Sequence, residues 1–444
     1  MTAGQTRRTV INRGRATLLG LGGVLFAACG VDRGGQGVAG GGKLAATLDV
    51  IIVPDPGEDP QHEQWVARFQ QLNPGVKINL TLAKGEFASD YVSKVLAMVA
   101  ANTPPDGTYV HPADLAGMAA KGVLLTVDPF VQKDKSSRVD DIYPTTLEYY
   151  RYNGKLWGLP YYSGPSVTYF NKTLFDRLGV ETPDRLEARK AWTWDALLDT
   201  GKRLTAGQGD TRTFGYLGTT SSLHWFNVTV WGNGGEIWDQ NLTRLLLDQP
   251  PAMSAIEQQT AMQTQYHIVP DADERKTLNG GFNSGRVGVL YGIRANVSGF
   301  TDLSFQVGMT ALPAGPKGRF CRNGPNALCL YTASKQQEAA WAYANWISQA
   351  EAQKIAFETK RSVPVRKSTA NSADFEKALY PWESAAVYRE ASDKVRGFPL
   401  PSTYNDINKV FTTAYGNVIA GKQSVREAMA TALPQMNQLL GQKM

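Results

Sequence analysis

Histidine and cysteine are scarce, at four and three among 444 residues. His62, His111, His224 and His267 are scattered, and no two have the spacing of metal ligands. No G-x-S-x-G occurs, so the sharp strand-to-helix turn that carries a hydrolase serine is absent. Carboxylates are plentiful, and a glycosidase pair could be far apart in the chain, but no residue needs catalysis to explain it. No run after Cys29 is long and apolar enough to span a bilayer, and no fixed-period repeat is visible. Concentrated basic charge is also missing. Net charge is +6, but residues 1–28 hold Arg7, Arg8, Arg13 and Arg15 and no acid, so the rest carries +6 − 4 = +2. That excludes nucleic acid as a partner, because neutralising several phosphates needs a dense basic surface. With 42% hydrophobic and 19% charged residues the chain is globular, and its length implies two or three domains.

The first thirty residues are informative. Basic residues up to Arg15 precede an uncharged stretch, Ala16 to Ala28, too short for a membrane helix and suited to a secretory signal peptide over residues 1–28. Its end, Leu25-Phe26-Ala27-Ala28-Cys29-Gly30, resembles the lipobox of bacterial lipoproteins. The resemblance implies that Cys29 is lipidated and becomes the mature N-terminus, anchored by several acyl chains rather than one. Thr6-Arg7-Arg8 loosely resembles a twin-arginine signal, with the general secretory route as the alternative. Residues 29–43 carry seven glycines from Gly30 on and read as a flexible tether. Gly37 to Lys43 matches half of a phosphate-binding loop, but Leu44 stands where a hydroxyl must hold magnesium and no strand precedes it.

In the body, Leu44–Val53, Val76–Leu82 and Gly107–Val110 read as strands, with helices over 58–73 and Ser89–Ala101 between them. Such alternation predicts an α/β lobe with a mostly parallel sheet. Further strands are expected at Lys155–Tyr162, Val167–Phe170, Val287–Tyr291 and Phe305–Leu312. Helices are expected at Trp194–Leu204, Ala252–Tyr266, Gln336–Ser348 and Val425–Leu440.

The order of segments resembles the bacterial extracellular solute-binding proteins of ABC importers, the group that includes the maltose-binding and glycerol-phosphate-binding proteins. The resemblance rests on FQQLNPGVK (Phe69–Lys77), GKLWGLP (Gly154–Pro160), YFNK (Tyr169–Lys172), WTWD (Trp192–Asp195), NGG (Asn233–Gly235), FNSGRV (Phe282–Val287), ALPAGP (Ala311–Pro316) and SVPVR (Ser362–Arg366), in the family's order. It implies a type II-like two-lobe fold hinged by three chain crossings. These would lie near Ser163-Gly164, Gly308–Leu312 and Lys360–Val363. One lobe would hold 44–163 and 306–358, the other 164–305 and 359–444. The implied protein is a monomeric, lipid-anchored receptor on the outer face of the cytoplasmic membrane. It would take a small polar solute, foremost a carbohydrate, to ABC permease subunits, with no catalysis, cofactor or metal. A glycerophosphodiester or sugar-phosphate-like anion is the alternative ligand; a cleft hydrolase and a surface adhesion module are alternatives of other classes.

The solute would lie in the cleft, at strand C-terminal ends, between aromatic faces and a few polar groups. Asp55 and Glu86 follow strands. His111 and Asp114 follow the third strand, where relatives contact ligand, although they also suit a helix start. Tyr161 and Tyr162 precede the first crossing, with core packing as the plainer role. His224, Trp225 and Asn227 occupy the family's aromatic loop, and Trp231 either joins them or packs beneath Gly234-Gly235. Arg294 stands where relatives commonly stack a Trp on sugar, and it could bind an anion bidentately. Arg361 and Tyr404 are late-chain candidates. Cys321 and Cys329 flank RNGPNAL, whose Asn-Gly suggests a turn. A disulfide across that turn would hold Asn323 and Asn326 toward ligand hydroxyls.

Overall fold

A computed structural model describes residues 44–53, 59–83, 88–218, 222–278 and 280–442. Cys29, the leader and the glycine-rich tether lie outside the described residues, as do Asp55 and Glu86.

The chain opens with β1 (Ala46–Ile52), α1 (Asp59–Leu72), β2 (Val76–Leu82), α2 (Ala88–Ala100), β3 (Gly107–Val110) and α3 (Pro112–Ala120). β1 pairs in parallel with both β2 and β3, which requires helical crossovers of this kind. In β2, Val76 and Ile78 are buried while Lys77 and Asn79 face water, as suits a strand at a sheet edge. β4 (Leu124–Leu125), a short hairpin of β5 (Arg151–Tyr152) and β6 (Lys155–Leu156), and β7 (Gly158–Tyr162) follow.

A second sheet collects β8 (Val167–Asn171), β9 (Phe214–Leu217), β10 (Val287–Gly292) and β11 (Val307–Thr310), in the order β11-β8-β10-β9. Only β9 and β10 are parallel. Helix Trp194–Leu204 lies directly on β9, because a Cβ on Gly215 would come 2.3 Å from the Gly201 Cα and two glycines let backbone meet backbone. β12 (Asn326–Tyr331) then returns to the first sheet, giving β2-β1-β3-β12-β4 with β7 also on β12. It runs antiparallel to β3, β4 and β7. Both sheets are therefore mixed, and the expected mostly parallel sheet holds only for β1 to β3. The two sheets with their helices are the two expected lobes of an α/β fold.

The lobe boundary after β10 differs from expectation. β11 pairs with β8, and Ala314 bridges Thr193, so residues 307–314 belong to the second lobe rather than the first. The second crossing lies instead at Cys321–Asn323, where three chain segments are tied together. Asn323 Oδ1 accepts from the Gly164 N–H at 2.9 Å and from Ser163 Oγ at 3.3 Å. Ser166 and Arg322 bond reciprocally, the Ser166 N–H to the Arg322 carbonyl and the Arg322 N–H to Ser166 Oγ. The Val363 N–H donates to the Ser163 carbonyl at 2.9 Å, joining the third segment. Asn323 Nδ2 donates to Thr146 Oγ1, so the side chain expected to serve a ligand is consumed in holding the crossings.

The cysteines are not bonded. Cys321 and Cys329 are free and buried, and burial pushes both thiols above the usual range. Cys321 bridges Val395 in one lobe while Cys329 lies within β12 in the other, and the Asn-Gly between them makes no hairpin. Seven residues of chain running onward separate the two cysteines rather than folding them together.

Arg294 does not serve as the free cation expected of it. It is fully buried; Nε meets Glu383 Oε1 at 3.0 Å, and Nη1 donates to the Phe357 and Ser362 carbonyls at 2.8 Å each. The residue anchors the third crossing. Glu383 is further held by the Tyr388 hydroxyl at 2.8 Å. Arg294→Met should therefore strand a buried carboxylate and destabilise the protein by about 3–5 kcal/mol in denaturant titration. A loss below about 1 kcal/mol would contradict the anchoring role.

Candidate functional site

Polar and aromatic groups from both lobes converge on the crossings. His111 caps α3: its Nδ1 accepts from the Ala113 N–H at 3.2 Å, and Pro112 follows at the first helical position, where a missing N–H costs nothing. An accepting Nδ1 leaves the proton of the neutral ring on Nε2. Burial and the Arg322 charge lower its pKa to about 4, so the ring is neutral at physiological pH. Asp114, in the first turn of α3, is buried, and its Oδ1 accepts from Asn405 Nδ2 at 2.7 Å. Asn405 lies in helix Tyr404–Ile419, so this bond reaches from one lobe to the other. Burial raises the Asp114 pKa to about 6, against the lowering effect of the Asn405 bond.

From the second lobe comes helix Leu223–Gly232. The expected aromatic loop is thus the first turns of a helix, with His224, Trp225 and Asn227 on it. His224 is buried edge-on against Tyr149 of the first lobe (6.4 Å between ring centres) and against Phe398 (5.4 Å). Burial, then Arg322 and His111, hold its pKa well below the ordinary value. Trp225 is half-buried, edge to face with Tyr291 at 5.2 Å, and the Arg322 guanidinium lies over its ring at 4.0 Å. Asn227 is fully buried, and neither its Oδ1 nor its Nδ2 has a hydrogen-bond partner.

A cavity of about 580 Å³ opens at the C-terminal ends of β9 and β10, lined by Leu217, Ile293, Asn296, Ser298, Phe300 and Arg361. Arg361 Nη1 donates to Ser298 Oγ at 2.9 Å. This is where open α/β sheets bind ligands.

The other expected residues are packed into the surrounding structure. Tyr161 is core: it packs edge-on against Trp65 at 5.2 Å, and its carbonyl accepts from Gln353. Tyr162 is also buried, on β7 beside Gly164. Trp231 packs against Phe398 (5.8 Å) and Phe320 (6.2 Å), with Arg396 over its ring. Tyr404 belongs to the same cluster: its ring packs edge-on against Trp238 and Phe398, and its buried hydroxyl lies near Arg322 and Tyr149. Asn326 begins β12, paired with Tyr162. Among the described residues no group of three or more His, Cys, Asp or Glu could hold a metal ion, and no helix is long and apolar enough to cross a membrane.

Arg322, Tyr149 and Tyr291 were not anticipated. Their meeting depends on pairing across the crossings, which local pattern does not show. A signal for Arg322 did exist: no acid occurs between Asp302 and Glu338, so a buried arginine there has no neighbour in sequence to neutralise it.

Residues 55–354 match the model of the bacterial extracellular solute-binding protein family. The chain belongs to that family. Among relatives of this solute-binding protein is the galactooligosaccharide-binding protein of Bacillus subtilis, 24% identical over 343 residues, covering 75% of this chain and 76% of the relative. In structure it is similar to an ABC substrate-binding protein from Listeria monocytogenes in complex with cycloalternan (TM-score 0.79, 21% identity, 89% of this chain and 99% of that one). It is also similar to maltose-bound MalE3 from T. maritima (TM-score 0.74, 16% identity, 89% and 100%). Both likenesses place it in the two-lobe, maltose-binding-like fold of ABC importer binding proteins.

Asp114 gives a prediction with a definite sign. Its folded pKa of about 6 exceeds the ordinary 3.8, so its contribution to stability is full below about pH 4 and is lost as pH rises through about 6. Asp114→Asn keeps an oxygen acceptor for Asn405 but does not ionise. The variant should match the parent at pH 4 and exceed it at pH 7.5, by on the order of 2 kcal/mol. A variant less stable than the parent at pH 7.5 would contradict the assigned burial of the charge.

Proposed function

We propose that this solute-binding protein captures a carbohydrate outside the cell, between its two lobes, and delivers it unchanged to an ABC permease. The observation that carries the proposal is the meeting of His111, Asp114 and Tyr149 from one lobe with His224, Trp225 and Asn405 from the other, beside crossings built to hinge. Hydrogen-bonding groups set among aromatic rings suit a molecule with both hydroxyls and apolar faces. A solute draws the lobes together only if it contacts both better in the closed form than one in the open form. The names of the relatives, which bind galactooligosaccharide, cycloalternan and maltose, support a sugar in this role.

Delivery to a membrane permease fits the leader and tether. We place the mature protein on the outer face of the cytoplasmic membrane, held by lipidated Cys29 through the glycine-rich segment 30–43. It acts there as a monomer. Catalysis has no part in the proposal: two histidines held neutral and a buried Asp114 serve as hydrogen-bonding groups.

Thermal unfolding of the soluble body from Lys43 with a panel of mono- and oligosaccharides tests this. A sugar at 100 times its dissociation constant should add ~2.7 kcal/mol of stability and be recovered intact. Stabilisation accompanied by product would favour a hydrolase, and a panel without effect would contradict a sugar receptor.

A further inference from the structure

We propose that Arg322 is an anion receptor within the interlobe site and that the solute is an acidic sugar, one carrying a carboxylate in the manner of a uronic acid. This rests on the carbohydrate reading above and narrows it.

Arg322 is only 8% exposed, and its Nε and Nη1 are buried without any hydrogen-bond partner. Three other buried or largely buried arginines set the standard it departs from. Arg294 is paired with Glu383 and three carbonyls. Arg366 donates to the Ser137, Arg138 and Ser348 carbonyls and has Asp141 at 3.9 Å. Arg319, also largely buried, holds Glu187 and Glu390. A buried guanidinium with no such partners is strongly unfavourable, so its presence needs an explanation.

Among the described residues none pairs with its charge. Asp114 is turned to Asn405, and among the described residues no carboxylate lies within ion-pair distance of Arg322. His111 and His224 are neutral beside it. The Arg322 guanidinium thus has no carboxylate in contact with it among the described residues, and a monoanion bound against it would neutralise its charge. A neutral hydroxyl would satisfy the N–H groups but leave the charge uncompensated.

Geometry favours a carboxylate. The guanidinium is stacked on Trp225 at 4.0 Å, and its backbone is tied to Ser166 by two hydrogen bonds. With Trp225 over it, the guanidinium offers a carboxylate two forks, Nε with Nη2 along its side and Nη1 with Nη2 at its end, and each includes an unpartnered nitrogen. Arg322 lies on the second crossing, so both lobes reach it. His224 comes from one side and Tyr149 from the other, with the Asn323 N–H donating to the Tyr149 hydroxyl at 3.4 Å.

The test compares acidic and neutral partners of the same skeleton. D-galacturonate and D-glucuronate, and the galacturonate di- and trimers, are titrated calorimetrically against galactose, glucose and the galactose di- and trimers at fixed ionic strength. Wild-type protein should prefer the acidic member of at least one pair by roughly tenfold or more, and Arg322→Gln should bring that ratio near one. Sugar-free Arg322→Gln should also melt higher than wild type, since an uncompensated buried charge is removed. Equal binding within every pair, or a ratio untouched by Arg322→Gln, overturns the acidic-sugar inference and leaves the carbohydrate reading standing. A lower melting temperature for sugar-free Arg322→Gln overturns it as well, because the arginine would then be structural. Failure of every sugar, acidic or neutral, to bind contradicts the carbohydrate reading itself.

Discussion

The fold depends on how three chain segments cross between two sheets without separating. At the centre is Asn323, a side chain with one acceptor and one donor group, both spent on the crossings. It ties the first segment at Ser163-Gly164 to the second, and Val363 closes the set through Ser163. Polar bonds set the register of this junction inside an apolar core that is continuous between the two sheets. Hydrogen bonds are directional but individually modest, so the junction keeps its register while adjacent torsions remain able to change.

Around the junction, arginines separate into two kinds. Arg294 and Arg366 are surrounded by carbonyls and a carboxylate, and they brace the segments on which they sit. Arg322 is stacked, buried and unmatched. The same residue type therefore serves as scaffold or as receptor, according to whether the protein supplies its acceptors. The charge also sets the state of its neighbours, because His111 and His224 stay neutral partly through their nearness to it.

Much of the fold was legible along the chain. β2, β3 and the helices Trp194–Leu204 and Val425–Leu440 have the bounds that periodicity and punctuation suggest, because proline, glycine and capping residues act locally. What failed was long-range. β11 reads as a strand in sequence, yet nothing local says that it pairs with β8 rather than with the first sheet. The Asn-Gly at Asn323-Gly324 suggested a hairpin, but its Asn is drawn into the crossings and the chain runs straight on into β12. At the site, His111 and Asp114 were visible because a strand ends and a helix begins there. Arg294 was misjudged because its partner, Glu383, is far away in sequence. Arg322 was passed over for the asparagines beside it, although its acid-free neighbourhood was plain.

A hinge that clamps a solute must change the outline of the molecule when it closes. Small-angle scattering of the soluble body, alone and saturated with the sugar that raises its melting temperature most, measures that change directly. The radius of gyration should fall on saturation and the scattering should fit one more compact form. An unchanged radius at proven saturation would mean that the lobes do not move on the solute, and the clamp would have to be given up.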